Sequence, residues 1–304
     1  SRGLGDVYKR QRIYNYVVRE KQWNIGFPDK SLEALVHGAS FSVRMLRHSY
    51  TDRWFADPFV LEVTDDEILL LAEDYDVHLR RGRISLLTVE RNTLALKKLT
   101  SVLDVARHLS FPCIVRRNDK VYIMPENLFG EGLTLYEFDQ KTCSCRKENV
   151  VSTQPLADAV LTDVFGEEML LGTYLPYDNP VLHTFVYNAQ GEEVRHESYV
   201  FVDKTARNAG AFFECEGKLY RPAQDGKLYY GQGIVIQQVT RDETGRLAFH
   251  EVCRLSSPAA NQLSRMHTLN SYKDVTVVDM AACQHPHIAR VAVQLKKHFC
   301  VIKR

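Results

Sequence analysis

The residues equipped for chemistry are carboxylates, amides and a few cations that recur along the chain. Asp57 stands in Ala56-Asp57-Pro58, Glu126 in Met124-Pro125-Glu126-Asn127, and Asp158 in Leu156-Ala157-Asp158-Ala159. Two carboxyl groups, one protonated and one ionised, are what glycoside hydrolysis needs. The same groups also accept hydrogen bonds from sugar hydroxyls without any reaction. Each has a structural use as well, because Asp before Pro forms turns and a Glu at a strand end can simply be solvated. Glu73, with Asp74 beside it, fits a solvated acidic loop as well as a ligand contact. Arg207 and Arg221 offer planar forks that suit a phosphorylated or acidic sugar, or salt bridges to nearby carboxylates. Asn208, Gln224, Asp225, His267 and Asn270 complete a set of polar candidates for substrate binding. Asp225-Gly226 is also a turn dipeptide. Trp54 and Tyr230 each have a face that could stack on a sugar ring, although core packing is the favoured reading of Trp54.

No metal and no cofactor is expected. His285-Pro286-His287 places two imidazoles around a proline, and Cys143 and Cys145 form a C-x-C without the second pair that a zinc site needs. Cys113, Cys215, Cys253, Cys283 and Cys300 lie in or beside apolar stretches and read as buried free thiols. Free thiols suit a reducing compartment, so a cytoplasmic location is expected. Cys113, next to Pro112, is the one considered as a reactive thiol.

The chain has 304 residues, 45% hydrophobic and 25% charged, with 39 Lys and Arg against 38 Asp and Glu for a net charge of +1. That balance excludes the basic field that drives nucleic-acid binding. The longest apolar runs, such as Ile68 to Ala72, fall far short of the roughly 20 residues of a membrane helix, so no transmembrane segment is expected.

The elements that position these residues read as strands. Phe59 to Val63, Glu67 to Leu71, Arg83 to Val89, Val121 to Met124 and Leu133 to Phe138 are short β-forming runs bounded by turn residues. Helical signals are few; Ser31 to His37, before Gly38, is the best, with Ser31 as N-cap. A weak unit also repeats. Its openings are Asp57-Pro58, Phe111-Pro112, Asp158-Ala159, Ala209-Gly210 and His267-Thr268, spaced by roughly 50 residues. In the first four units a polar residue follows 15 or 16 positions later: Glu73, Glu126, Tyr174 and Gln224. In the fifth, Asp279 follows His267 by 12.

Five such units predict an all-β fold, a five-bladed β-propeller, as a single domain over 12–304. The first blade is expected at 57–63, 67–73, 83–90 and 94–99. Trp23 to Phe27 is expected to close the ring with the last blade. An inner strand starts at one face and its hairpin partner returns there. Asp57, Glu73, Glu126, Asp158, Gln224 and His267 should therefore converge over one mouth of the axis, a polar bowl suited to hydroxyl-rich ligands. Residues 1–11, Ser1 to Gln11, resemble a translated transposon adapter from sequencing libraries. They are expected to be foreign to the protein, whose natural start would then be missing.

Eight motifs occur in order. They are Arg53-Trp54-Phe55-Ala56-Asp57-Pro58-Phe59, His108-Leu109-Ser110-Phe111-Pro112, Met124-Pro125-Glu126-Asn127, Leu156-Ala157-Asp158-Ala159, Ala206-Arg207-Asn208-Ala209-Gly210, Tyr220-Arg221-Pro222-Ala223-Gln224-Asp225, Tyr230-Gly231 and His267-Thr268-Leu269-Asn270. The series resembles the N-terminal propeller domain of glucosamine inositolphosphorylceramide transferases, which also occurs as stand-alone bacterial proteins, over roughly Trp23 to Asp279. More distantly it is similar to the arabinanase and β-xylosidase propellers. The distant likeness implies a general base at Asp57, an orienting carboxylate at Asp158, and a general-acid Glu on the next blade. There the chain departs, because Asn208-Ala209-Gly210 has no proton to donate as an acid. The plant transferases carry their glycosyl-transfer domain after the propeller, and 304 residues leave no length for one, so a lone propeller is expected.

The resemblance implies a saccharide, sugar-phosphate or glycolipid ligand and a role in surface glycan or glycolipid assembly, without ordinary glycosidase activity. Two alternatives stand beside it: a divergent glycoside hydrolase with Asp57 as base and Glu126 or Glu73 as acid, and a protein-interaction propeller whose rim residues are structural.

Overall fold

A computed structural model of the protein describes residues 20–127, 132–177, 179–188, 190–258 and 265–283. Residues 1–11, His285, His287 and Cys300 lie outside them. The chain opens with β1 (Glu20–Pro28), the short helix α1 (Leu32–Val36) and β2 (Val43–Met45). Ser31 caps α1 by accepting the Ala34 N–H, and Gly38 follows the helix in a left-handed conformation. Four strands then make the first blade: β3 (Arg53–Val63), β4 (Glu67–Asp76), β5 (Arg81–Glu90) and β6 (Leu96–Leu103). The second holds β7 (Ser110–Arg117), β8 (Lys120–Glu126), β9 (Leu133–Asp139) and β10 (Ser144–Ser152). The third holds β11 (Leu156–Val164), β12 (Glu167–Tyr174), β13 (Val181–Tyr187) and β14 (Glu193–Val200). The fourth holds β15 (Phe213–Cys215), β16 (Lys218–Asp225), β17 (Gly233–Arg241) and β18 (Leu247–Ser256). Last come β19 (Leu269–Tyr272) and β20 (Val275–Cys283).

The described residues form five four-stranded antiparallel sheets, one per blade. The fifth has the order β19-β20-β1-β2, so strands from both ends of the chain share a sheet, with Trp23 opposite Ala281 and Ile25 opposite Asp279. Side-chain and backbone bonds tie the sheets into a ring. Phe111 N–H donates to Asp57, Asp158 N–H to Glu126, and the Asn208 amide to the Asp158 carbonyl. Leu269 N–H then donates to Ala209, and the Asn270 amide to the Pro58 carbonyl of the first blade. The protein is a five-bladed β-propeller.

The inner strands β3, β7 and β11 are buried along most of their length, and apolar side chains fill the wedges between blades. One apolar cluster runs through the first four blades, including Phe59, Phe111, Val160 and Phe185. A second packs the fifth blade on the first through Ile25, Phe55, Leu70 and Val277. A third docks α1 on the fourth and fifth blades through Leu35, Ile236, Met266 and Val278. Area burial of this kind is the main stabilising term. Cys113 is fully buried, and burial pushes its thiol up to about 11, the opposite of a reactive thiolate. Cys143, Cys145, Cys215 and Cys253 are also free, and each is partly buried. No described helix is long and apolar enough to cross a membrane.

Candidate functional site

Three blade openings share a local deformation. The ladder slips between Ala56 and Phe59, between Ser110 and Cys113, and between Ala157 and Val160. Within each slip one residue is left-handed: Asp57 at φ 49, Phe111 at φ 44 and Asp158 at φ 47. Asp tolerates that conformation; Phe does not, so Phe111 needs outside support. It donates its N–H to Asp57 Oδ2 at 3.1 Å. Bulges of this kind re-aim side chains, and here they turn carboxylates toward the axis. The hairpin partners explain the 15- or 16-residue interval. Ala56 pairs with Glu73, Ser110 with Glu126 and Leu156 with Tyr174, so each later residue returns beside its opening.

The openings surround a cavity of about 470 Å³ lined by Trp23, Trp54, Asp57, Glu73, His108, Glu126, Asp158, Tyr177, Arg207, Tyr230 and His267, among others. His267 anchors its floor. Its Nε2 lies 3.2 Å from Asp57 Oδ1 and its Nδ1 lies 2.9 Å from Asp279 Oδ2. Asp279 also accepts the N–H groups of Asp57, His267 and Thr268 at 3.0–3.1 Å. Burial opposes a charged ring, yet Asp279 and Asp57 outweigh it and hold the imidazole well above its ordinary range. Burial likewise opposes charge on Asp279, but His267 and the backbone N–H groups of Asp57 and His267 bring its carboxyl below the usual value.

Glu73 and Glu126 behave oppositely. Burial, then the neighbouring Asp57, pushes the Glu73 carboxyl well above the usual range, and Glu73 Oε1 has no hydrogen-bond partner. His108 Nε2 lies 3.6 Å from that oxygen. His108 Nδ1 accepts the Gly82 N–H at 2.8 Å, so the neutral ring carries its proton on Nε2, toward Glu73. Burial and the Asp158 carboxyl push Glu126 up to about 8. Its Oε2 accepts the Asp158 N–H at 2.7 Å and its Oε1 the Tyr177 hydroxyl at 3.3 Å. Burial raises Asp158 too, offset in part by Arg207, whose Nε donates to Asp158 Oδ2 at 2.6 Å. The Arg207 guanidinium also lies over the rings of Tyr177 and Tyr230, at 4.6 and 5.5 Å from their centroids.

Aromatic rings form the walls. Trp54 stacks on Tyr75 with centroids 4.4 Å apart and an interplanar angle of 7°. It is partly buried, packs against the small cluster of Trp23, Ala56 and Ala281 and also lines the cavity, so both readings of this residue have a basis. Trp23 and Tyr230 meet edge to face at 6.1 Å, and both tilt over His267.

Several other expectations need correction. Arg221 is completely buried inside the fourth blade and does not reach the cavity. Its guanidinium donates to Asn208 Oδ1 at 2.8 Å, Gln237 Oε1 at 2.7 Å and the Thr205 carbonyl at 3.1 Å, and also to the Ala206 carbonyl. Asn208 braces the third blade, donating to the carbonyls of Asp158 and Leu171. Asn270 spans the ring, accepting the Ala211 N–H and donating to the Pro58 carbonyl. Asp225 is paired with Arg254 at 2.8 Å. Gln224 donates to the Asn208 carbonyl and lines a smaller pocket beside the main one. Glu73 and Asp74 are both buried rather than a solvated loop. Asp74 points away from the cavity's lining, between Arg53 and Arg83 at 3.3 and 3.0 Å. Tyr174 packs on His183, and Tyr177 from the following loop takes the place at the cavity.

Sequence reasoning missed His108, Ser110, Trp23, Tyr177 and Asp279. His108 and Ser110 lie inside a quoted motif, and Asp279 stands at the fifth unit's interval. Tyr177 belongs to a loop outside the repeat and left no signal.

Two described groups bring three possible metal-ligand atoms within 4.8 Å of one another: exposed Glu33, His37 and Glu216, and buried Asp57, His267 and Asp279. In the buried trio both ring nitrogens face carboxylates. That is the arrangement of an imidazolium between two anions, whereas a metal needs one ring nitrogen free of its proton.

Comparison with known proteins follows the same lines. The model of the family described as "Glucosamine inositolphosphorylceramide transferase 1, N-terminal" matches residues 39–273. Glucosamine inositolphosphorylceramide transferase 1 of Oryza sativa subsp. indica is 28% identical over 210 residues, covering 64% of this chain and 28% of that one. The chain thus spans little more than a quarter of that relative's length. Among solved structures, the GH43_1 enzyme of Xanthomonas citri complexed with xylose superposes with a TM-score of 0.51 at 15% identity, covering 77% of this chain and 88% of that one. An exo-1,5-alpha-L-arabinanase from a bovine ruminal metagenomic library gives a TM-score of 0.50 at 12% identity, covering 70% of this chain and 87% of that one. Likenesses at that identity show a shared propeller fold and nothing more. The family match covers most of the sequence: the chain belongs to the family of the N-terminal domain of glucosamine inositolphosphorylceramide transferase 1.

Proposed function

We propose that the cavity binds a saccharide, and that the protein serves the assembly or modification of a surface glycan or glycolipid without acting as an ordinary glycosidase. One observation carries this reading. Aromatic walls surround a buried floor of carboxyl, imidazole and guanidinium groups, the mixture of flat apolar faces and oriented polar groups that a sugar ring needs. The fourth blade adds no carboxyl group, since Asn208 and Ala209 are consumed in bonds to the third and fifth blades. Asp57 also has one oxygen on the Phe111 N–H and the other beside His267, which leaves little freedom to activate water. The name of the relatives, which refers to a glycolipid transferase, supports the glycolipid context.

The test is a glycan-array and nucleotide-sugar binding screen of the full chain, repeated with Asp57→Ala and Trp54→Ala. Binding that both substitutions weaken supports the proposal. Absence of binding to any saccharide, or binding indifferent to both changes in folded protein, overturns it.

A divergent hydrolase remains the second reading, favoured by one feature. Glu126, pushed up to about 8, keeps a proton at neutral pH, and Glu73 is raised as well; a general acid must be so held. Release of reducing sugar that Glu126→Gln or Glu73→Gln abolishes would select this reading. The interaction-module alternative draws no support from the site, because the mouth is an open cavity rather than a rim plugged by ion pairs.

A further inference from the structure

Arg207 is only partly spent. Its Nε holds Asp158, while no described residue accepts from its two terminal nitrogens. Beside it lies a second pocket of about 170 Å³, lined by Tyr177, Asn179, Lys204, Arg207, Gln224 and Tyr230, with Gly226 and Gly231. Tyr177, Arg207 and Tyr230 line both pockets, so the small one adjoins the large one as an annex. The two differ in charge. The large cavity gathers Asp57, Glu73, Glu126 and Asp158 with His267 and Arg207, whereas among the described residues that line the annex the ionisable side chains, apart from its tyrosines, are Lys204 and Arg207, joined by two amides.

Two described carboxylates near the annex are already paired. Asp203, next to Lys204 in the chain, faces Arg254 at 3.1 Å, and Asp225, next to Gln224, faces the same arginine at 2.8 Å. Arg254 thereby pairs with both carboxylates. Lys204 itself is exposed, sits in a left-handed backbone conformation at φ 63, and has no ion-pair partner among the described residues. Two cations, two amides and two glycines beside an acidic sugar-sized cavity form a recess for an anion carried by whatever occupies that cavity.

We infer that the annex binds the phosphoryl group of a phosphorylated sugar whose ring sits in the main cavity. This rests on the saccharide reading above and narrows it to one substrate class. A guanidinium with both terminal nitrogens unspent suits a tetrahedral oxyanion, and Lys204 adds a mobile point charge. On the floor the imidazolium of His267 is already held between Asp57 and Asp279, whereas Lys204 and the terminal nitrogens of Arg207 are not so engaged among the described residues, so the anion is accommodated on the annex side. That polarity fixes the direction in which the ligand lies: ring toward His267 and Glu73, phosphate toward Lys204.

The phosphoryl group can come from a soluble sugar phosphate or from a lipid headgroup, and the experiment separates them. Binding to the full chain is measured by calorimetry for hexoses, hexosamines and myo-inositol, each against its monophosphate. The same protein is tested on phosphatidylcholine vesicles containing phosphatidylinositol, with phosphatidylserine vesicles as the charge control. Wild-type protein is expected to prefer the phosphorylated partner of at least one pair by about tenfold or more. In Lys204→Asn, which removes the charge and tolerates the left-handed backbone, that preference should fall to within about twofold, and Lys204→Arg should restore it. Vesicle binding that requires phosphatidylinositol and not phosphatidylserine assigns the phosphate to a lipid; preference confined to the soluble pairs assigns it to a free sugar phosphate. Parent sugars that bind without any gain from phosphate, or a gain that Lys204→Asn leaves intact, overturn the inference while the saccharide reading stands. No binding of parent or phosphate in any pair, and none to phosphatidylinositol vesicles, overturns both.

Discussion

Glu126 Oε2 accepts the backbone N–H of Asp158 at 2.7 Å across the boundary between the second and third blades. The bond favours a charged carboxyl, yet burial and the Asp158 carboxylate prevail and raise Glu126 to about 8 from an ordinary 4.5. The folded protein therefore keeps a proton that the unfolded chain releases. Stability from this proton is complete below about pH 4.5 and is lost as pH rises through about 8. Urea midpoints of wild type should fall across that window more steeply than those of Glu126→Gln, in which nothing titrates at this place. Parallel profiles would remove the case for a protonated Glu126.

His267 lies between two buried carboxylates. Removing the ring leaves Asp57 and Asp279 facing each other without a cation, and breaking a buried ion pair on one side costs about 3–5 kcal/mol. His267→Ala should lose that much in denaturant unfolding at pH 7. Because the folded value of His267 is raised, its contribution is whole below pH 6.5 and fades only as pH climbs through that raised value. A loss under about 1 kcal/mol would show that the trio contributes little.

Arg221 satisfies four acceptors from within its own blade. A lysine has a point charge in place of the planar fork and leaves several of these groups unpaired, at about 1–3 kcal/mol each. Arg221→Lys should destabilise the protein by roughly 2 kcal/mol or more in thermal or chemical unfolding. Near-wild-type stability in this variant would return Arg221 to the list of ligand contacts.

Gly210 has φ +156, and a Cβ there would lie 2.0 Å from the Leu269 carbonyl oxygen. The obstacle is backbone of the fifth blade, which cannot swing aside as a side chain can. Gly210→Ala is expected to fall among the rare substitutions costing more than about 4 kcal/mol, read as loss of soluble folded protein or a collapsed melting temperature. A well-folded Gly210→Ala would mean that the fourth and fifth blades do not meet as described.

Trp54 presents one face to the cavity while Tyr75 covers the other. Trp54→Ala should weaken saccharide binding by about 3- to 10-fold, the equivalent of one aromatic contact of roughly 0.5–1.5 kcal/mol. Calorimetric titration against the best glycan from the screen checks this, and an unchanged dissociation constant would remove Trp54 from the binding wall.

The rim was legible because a propeller converts sequence interval into position. Asp57, Glu73, Glu126, Asp158 and His267 share one cavity because each lies at a blade opening or opposite one in the ladder. Arg221 was read wrongly for a local reason. Strand parity decides whether a side chain meets the axis or its neighbouring blade, and parity hangs on a register that composition does not reveal. Glu73 beside Asp74 looked solvated because tertiary contacts bury them, Glu73 at the cavity shared between blades and Asp74 among Arg53, Arg83 and Ser85 of its own sheet. Tyr177 left no trace since loops lie outside the repeat. The fourth blade's Asn208-Ala209-Gly210 looked like lost chemistry, and its packing gives a physical reason: the backbone there docks so tightly that only glycine fits at the third position.

The shared fifth sheet has a consequence for how binding competence arises. Trp23 arrives on β1 and His267 just before β19, so two partners in the pocket are separated by nearly the whole polypeptide and meet only after the termini are zipped together. Ligand capture is therefore a late event in maturation, and a protease cut that frees the segment from Glu20 to Pro28 would silence the pocket while leaving three or four sectors intact. Occupancy of the pocket, in turn, acts as a latch on the seam, protecting this sequence-distant contact from opening.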